Sequence, residues 1–147
     1  MMKPSANPEI LEKLHLLVSI FHRRMHDAVR EDGEGLAPME ARALRFLAQH
    51  EGSTQRDMTQ HTGRDKAQIA RIVKTLLERG LVESTPDPDD GRSQRLRLTP
   101  AGRAMQRRMQ QHRARFELAL VQGFDEPEQA ALVAQLERMV VNVRDGA

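Results

Sequence analysis

Lys66, Gln68, Arg71 and Lys74 lie close together in the run RDKAQIARIVKTLLERG. Their ammonium, carboxamide and guanidinium groups are the types that hydrogen-bond to base-pair edges. Gln pairs bidentately with adenine, and Arg or Lys with guanine O6 and N7, at ~1–3 kcal/mol of discrimination per good pair. Ala67 or Ala70 beside them can meet a thymine methyl. Arg92 stands in a turn-prone stretch, where a guanidinium can enter a narrow minor groove of enhanced negative potential. Arg95 and Arg97 alternate with Leu96 and Leu98, so on a strand they point outward and can grip phosphates. Thr54, Gln55 and Arg56 can donate to backbone phosphates. Together these residues have the chemistry of duplex DNA recognition.

Each has a competing use. Gln68 stands three residues after Asp65, the spacing that completes a helix capping box. Thr54 has the same relation to Asp57 and can serve as a cap alone. Lys66 and Lys74 suit phosphates, which position a protein without specifying a sequence. Arg92 could be a solvated hairpin arginine. His15, His22 and His26 fall on a narrow arc of one helix, and histidines at i and i+4 can share a metal. No Cys ligand accompanies them, and they read better as polar residues of a helix face, so no metal site is expected.

Composition narrows the classes. The chain has 147 residues, 30% charged and 39% hydrophobic, which suits one globular domain. No apolar run approaches the roughly 20 residues of a membrane span, and MMKPSANPEI lacks the apolar core of a secretory signal. A cytoplasmic protein with no membrane partner is the expectation. There is no Cys, which excludes disulfide, thiolate-metal and thiol-redox chemistry. Net charge is only +2, yet between Arg92 and Arg115 every fully charged side chain is an arginine. Acids return at Glu117. That section reads as an electrostatic footprint for phosphates or as a solvated helix face. With four Phe and no Tyr or Trp, stacking platforms for single strands are hard to build, which favours duplex DNA. GxSxG, P-loop and HExxH motifs are absent, and Asp87, Asp89 and Asp90 sit among Pro and Gly as turn residues. No enzyme and no cofactor are expected.

These residues need elements to position them. Leu11, Leu14, Val18, Phe21 and Met25 recur at helical spacing from Glu9 to about Arg30. EDGEG then breaks the helix. Pro38 opens a second, although Ala37 is a poor cap. Thr54 starts a short third helix through His61, and Thr62-Gly63 makes the turn. Asp65 starts a fourth, burying Ile69, Ile72, Val73, Leu76 and Leu77 and stopping at Gly80. Leu81 to Thr85 is β-prone, the stretch from Pro86 to Gly91 is a hairpin tip, and the return strand holds Arg95 to Leu98. Thr99-Pro100 caps a fifth helix to about Gln122. Asp125 opens a sixth, with Leu132, Leu136, Met139, Val140 and Val143 apolar. The expected fold is mainly α with a small β-hairpin wing, a winged helix-turn-helix flanked by terminal helices. The first and sixth helices carry stripes that a second copy can cover, so a two-fold homodimer is expected over ordinary internal packing.

The element order, with RIVKTLLERGLVE, the Asp90-x-Arg92 pattern and RLRLTPAG, resembles the MarR family of transcriptional regulators across essentially the whole chain. The string Arg64-Asp65-Lys66-Ala67 is similar to the MexR-like subgroup that controls drug-export genes. The resemblance implies one MarR-like domain over 1–147, with a winged lobe at 38–100 and dimerisation helices at 9–31 and 101–145. It implies that Asp90 braces the wing and that Arg92 enters the minor groove. It implies a homodimeric, sequence-specific regulator of a pseudo-palindromic operator, a repressor released by a small lipophilic or phenolic effector. Without Cys, thiol-based sensing of oxidants is out of reach. An architectural DNA-binding protein without ligand control, or a winged-helix protein-interaction module, are the alternatives.

Overall fold

Helix-forming segments broken by left-handed glycines set the chain's course. The computed structural model describes residues 3–31 and 35–146. In order come α1 (Pro8–Glu31), α2 (Pro38–Gln49), α3 (Gln55–Thr62), α4 (Lys66–Glu78), β1 (Val82–Pro86), β2 (Gln94–Leu98), α5 (Pro100–Leu120) and α6 (Glu126–Asp145). The break expected within EDGEG falls on residues 32–34, which lie outside the described residues. This is a mainly α winged helix-turn-helix, as the sequence pattern suggested.

The helix starts follow their capping chemistry. Thr54 and Asp57 form a reciprocal box: the Thr54 N–H donates to Asp57 Oδ2 at 3.0 Å, and the Asp57 N–H to Thr54 Oγ1 at 3.1 Å. Ala37 offers no side-chain acceptor, so α2 keeps half of that arrangement, with the Ala37 N–H donating to Glu40 Oε2 at 3.1 Å. Asp65 caps α4 by accepting from the Ala67 N–H at 3.2 Å. The expected second box does not form, because the Gln68 carboxamide turns to Met39 instead. Gly63, at φ 66, takes the left-handed position that closes α3 and lets α4 begin three residues later.

One core underlies these elements. Leu44 and Leu47 of α2, Met58 of α3, Val73 and Leu76 of α4, Leu96 of β2 and Met105 of α5 are fully buried. Leu77 belongs outside it, 38% exposed, because it projects from α4 away from the packed face. The hairpin pairs Val82 with Leu98 through Pro86 with Gln94, antiparallel. It is tied to the helix-turn-helix by a bridge: Leu96 N–H donates to the Ser53 carbonyl at 2.8 Å, and Gly52 N–H to the Leu96 carbonyl at 2.9 Å. At the far end Thr99 caps α5, accepting from the Gly102 N–H at 3.1 Å, while its hydroxyl donates to the Gly80 carbonyl. Gly102 is buried against Leu81, and a Cβ there would overlap the Leu81 carbonyl oxygen.

The chain divides into two compact units, one through Arg113 and one from Ala114 onward. The second holds the end of α5, which stops at Leu120, and α6, capped by an Asp125–Glu128 box. No residue of α6 is buried, and Leu132, Val133, Val140, Val141 and Val143 are all exposed. In the first unit, α1 likewise exposes Ile10, Leu11, Leu16, Leu17 and Val18.

Candidate nucleic-acid interface

The 3.6-residue period of α4 sorts its side chains. Ile69, Val73 and Leu76 face the core, so Lys66, Ala67, Ala70, Arg71 and Lys74 are left exposed on the opposite side. Among the described residues Arg71 makes no ion pair, and its guanidinium is free for another acceptor. Lys74 stands 3.9 Å from Glu78, but both are well exposed, and such an i,i+4 pair is worth only about 0.3–0.5 kcal/mol. It does not withhold the lysine from a phosphate. Gln68 is half-buried, and its Nε2 donates to Met39 Sδ at 3.7 Å. Arg64, in the turn before α4, donates to the same sulfur at 3.7 Å. The meeting of Arg64 and Gln68 at Met39 had no place in the sequence reading, since nothing in the spacing of α2 and α4 reports it.

At the start of α3, Gln55 and Arg56 are exposed, while Thr54 is engaged as the cap. The third helix continues one residue further than expected, to Thr62.

The wing owes its shape to two aspartates acting at i,i+2. Asp87 Oδ1 accepts from the Asp89 N–H at 2.9 Å, and Asp90 Oδ1 from the Arg92 N–H at 3.1 Å. The tip closes with Asp87 N–H to the Ser93 carbonyl and Ser93 N–H to the Asp90 carbonyl. Asp90 thus holds the backbone of the residue whose side chain is exposed at the tip, Arg92. The Asp89 N–H, then the charge of Arg95, hold the Asp87 carboxyl below its ordinary range. Asp87 was read as a plain turn residue; the Asp-x-Asp and Asp-x-Arg spacings were the signal available for these turns.

The two arginines of β2 part company. Arg97 is exposed, as the alternation predicts. Arg95 is half-buried, its Nη2 3.5 Å from Asp87 Oδ1 and its Nε buried without a partner. Expected to point fully outward, it instead leans along the hairpin toward the Asp87 carboxylate. Both guanidinium groups approach Gly52, whose missing side chain leaves the space. Arg103 pairs with Glu51, which removes one cation from the basic section.

Within the first unit, a cavity of about 700 Å³ is walled by α1, α2, α3, α4 and the first part of α5. Phe21, Met25, Met39 and Phe46 line it, together with Arg42, Arg45 and Arg64. Arg113 stacks 5.5 Å from the Phe21 ring centroid. His15, His22 and His26 are exposed on α1, and among the described residues no group of three His, Asp or Glu is placed to hold a metal.

Residues 34–93 match the family model described as MarR family. Over those residues the winged helix-turn-helix is similar to that of the MarR family. Solved MarR-type structures carry the likeness over the rest of the chain. PcaV, a transcriptional regulator from Streptomyces coelicolor, is 28% identical, with 97% of this chain and 100% of that chain covered at a TM-score of 0.73. A probable transcriptional regulator from Pseudomonas aeruginosa is 27% identical, covering 90% and 97% at 0.74. A mutant MarR of E. coli, crystallised with operator DNA, shares the fold at 18% identity, covering 90% and 94% at 0.76. PcaV has also been crystallised with its natural ligand. No curated protein matches the chain. The MarR likeness is one to transcriptional regulators, and no helix among the described residues is long and apolar enough to cross a membrane.

Proposed function

We propose that this MarR-type chain is a homodimeric, sequence-specific regulator of transcription that reads double-stranded DNA. One observation carries the reading. An α4 that buries Ile69, Val73 and Leu76 must present Lys66, Ala70, Arg71 and Lys74 outward, beside a hairpin with Arg92 at its tip. A helix with such a face fits a major groove, with the hairpin over the neighbouring minor groove. Arg71, and Gln68 when it leaves Met39, would contact base edges. Lys66, Lys74, Arg97, Gln55 and Arg56 would hold phosphates, and Thr54 would order the helix that presents the last two. Arg95 and Asp90 would set the wing for Arg92.

The dimer rests on apolar surface that the single chain leaves uncovered. Exposed leucines and valines on α1, and those of α6, support assigning 9–31 and 101–145 to dimerisation and 38–100 to the DNA-binding lobe. Two copies would then meet half-sites of a pseudo-palindrome about one helical turn apart.

The cavity supports control by a small molecule. Its volume of about 700 Å³ falls in the usual range for ligand sites. Aromatic and thioether walls with arginines among them suit a lipophilic or phenolic compound carrying a negative charge. A ligand there shifts DNA affinity only if it prefers one arrangement of α4 over another. Repression relieved by such a ligand is the proposed mode of control.

A gel shift on the duplex upstream of the chain's own coding sequence tests the function, with salicylate as the first effector probe. The expected result is a salt-sensitive, sequence-specific complex of two chains per site, weakened by the probe or a larger aromatic acid. Absence of any specific complex at low salt would refute the function. Specific binding that no aromatic acid disturbs would refute the effector control alone.

A further inference from the structure

The chain has no Cys, so its sulfur chemistry resides in eight Met. Three of those described are sheltered: Met58 and Met105 are 1% exposed and Met109 is 7% exposed. Met39 is set apart by its hydrogen-bond partners. Like Met25, it is half-buried and lines the cavity, and it stands in the first turn of α2. Its sulfur accepts two hydrogen bonds, from Arg64 Nη1 and Gln68 Nε2, each at 3.7 Å. Arg64 precedes α4 and Gln68 lies in its first turn, so one thioether holds both donors at the start of the helix assigned to DNA reading.

We propose that Met39 is an oxidation site, and that its conversion to the sulfoxide holds Arg64 and Gln68 more tightly and so withdraws Gln68 from DNA. The co-reactant is a peroxide. A sulfur lone pair attacks one peroxide oxygen, the S–O bond forms and the O–O bond breaks. The departing hydroxide takes the proton from the transferred oxygen and leaves as water. Sulfur loses two electrons and the peroxide gains them. The product replaces a weak thioether acceptor with a polar, strongly accepting oxygen. The 3.7 Å separations leave too little room for an in-line oxygen, so both donors draw back to reach the ordinary N–H···O distance of roughly 2.9 Å.

The thioether tie is weak enough for Gln68 to swing to a base edge. The sulfoxide tie competes with the base on even terms. Sulfoxide reductases reverse the change, so the site is a switch and not only a lesion. This inference rests on α4 reading DNA, and its consequence for Gln68 and Arg64 is measurable without DNA.

The experiment treats the full chain with hydrogen peroxide and follows Met39, Met58 and Met139 by peptide mass spectrometry. Side-chain NMR signals of Gln68 and Arg64 and affinity for the upstream duplex are recorded in parallel. Met39 is expected to oxidise well ahead of Met58. Duplex affinity should then fall about tenfold, the order of one base-edge hydrogen-bond pair, and recover with methionine sulfoxide reductase. Met39→Leu should keep its affinity in peroxide, while Met39→Gln, which offers a carboxamide oxygen, should bind weakly without it. Oxidised Met39 with unchanged Gln68 and Arg64 signals would overturn the proposal, as would equal peroxide sensitivity in Met39→Leu. If the untreated chain binds no specific DNA, the functional reading fails first, and the NMR signals still decide whether oxidation tightens the tie.

Discussion

Replacing Gly102 with Ala tests how the wing is fixed to α5. An added Cβ overlaps the Leu81 carbonyl oxygen and stands 2.9 Å from the carbonyl carbon. Both atoms are backbone, so neither can rotate aside, and a shift of about 1 Å or more is needed to restore an ordinary separation. The neighbourhood resists that shift. The Leu81 carbonyl accepts from the Thr99 N–H at 3.1 Å, and the Thr99 hydroxyl donates to the Gly80 carbonyl. Overpacking of this kind costs about 1–3 kcal/mol, and loosening the two hydrogen bonds adds about 1 kcal/mol each. The sum of about 3–5 kcal/mol corresponds to a Tm roughly 6–20 °C lower for a chain of this size. Thermal unfolding followed by circular dichroism measures it. Gly91→Ala serves as control, since its Cβ would meet nothing within 4 Å. A Gly102→Ala variant melting with the wild type would refute the close approach of α5 to Leu81.

Further expectations follow from single groups. Arg97→Ala should flatten the dependence of log K on log salt by about 0.9 for each phosphate it no longer neutralises, whereas Arg95→Ala should distort the wing; titrations of DNA binding from low to moderate salt separate the two. Thr54→Ala removes the cap of α3 and should cost about 1 kcal/mol of stability, with Thr54→Ser restoring it; equal melting of all three proteins would contradict the box. The Asp87 carboxyl, held low by the Asp89 N–H and Arg95, stabilises the wing above the ordinary carboxylate range and loses that effect as pH falls through its depressed value. Carboxyl NMR should therefore give Asp87 a midpoint below the usual 3.8, and a midpoint above that value would contradict the turn geometry.

How much of this was legible in the sequence depends on the range of the interaction. Local rules carried the elements: the Thr54–Asp57 box, Gly63 and Gly80 as left-handed stops, and the Leu96/Leu98 alternation all act within a few residues. Proposals for Arg71 and Lys74 rest on the same helical period that buries Val73 and Leu76. What failed was decided by neighbours distant in sequence. Gln68 had two plausible uses, capping or reading, and took a third because Met39 lies against it from α2. Arg95 looked equivalent to Arg97, yet the hairpin brings Asp87 to one and not the other. The motif Thr-Pro-Ala-Gly stood out as a string, and its reason, the close approach of Gly102 to Leu81, lies in tertiary packing.

The most direct test of the central claim compares wild type and Arg71→Ala by fluorescence anisotropy on two duplexes, the chain's own upstream DNA and a scrambled sequence. Base-edge pairs worth ~1–3 kcal/mol each predict that wild type strongly prefers the upstream duplex and that Arg71→Ala keeps its scrambled-DNA affinity but surrenders most of the preference. Equal wild-type affinity for both duplexes, or a preference untouched by the substitution, would contradict the assignment of α4 as the reading helix.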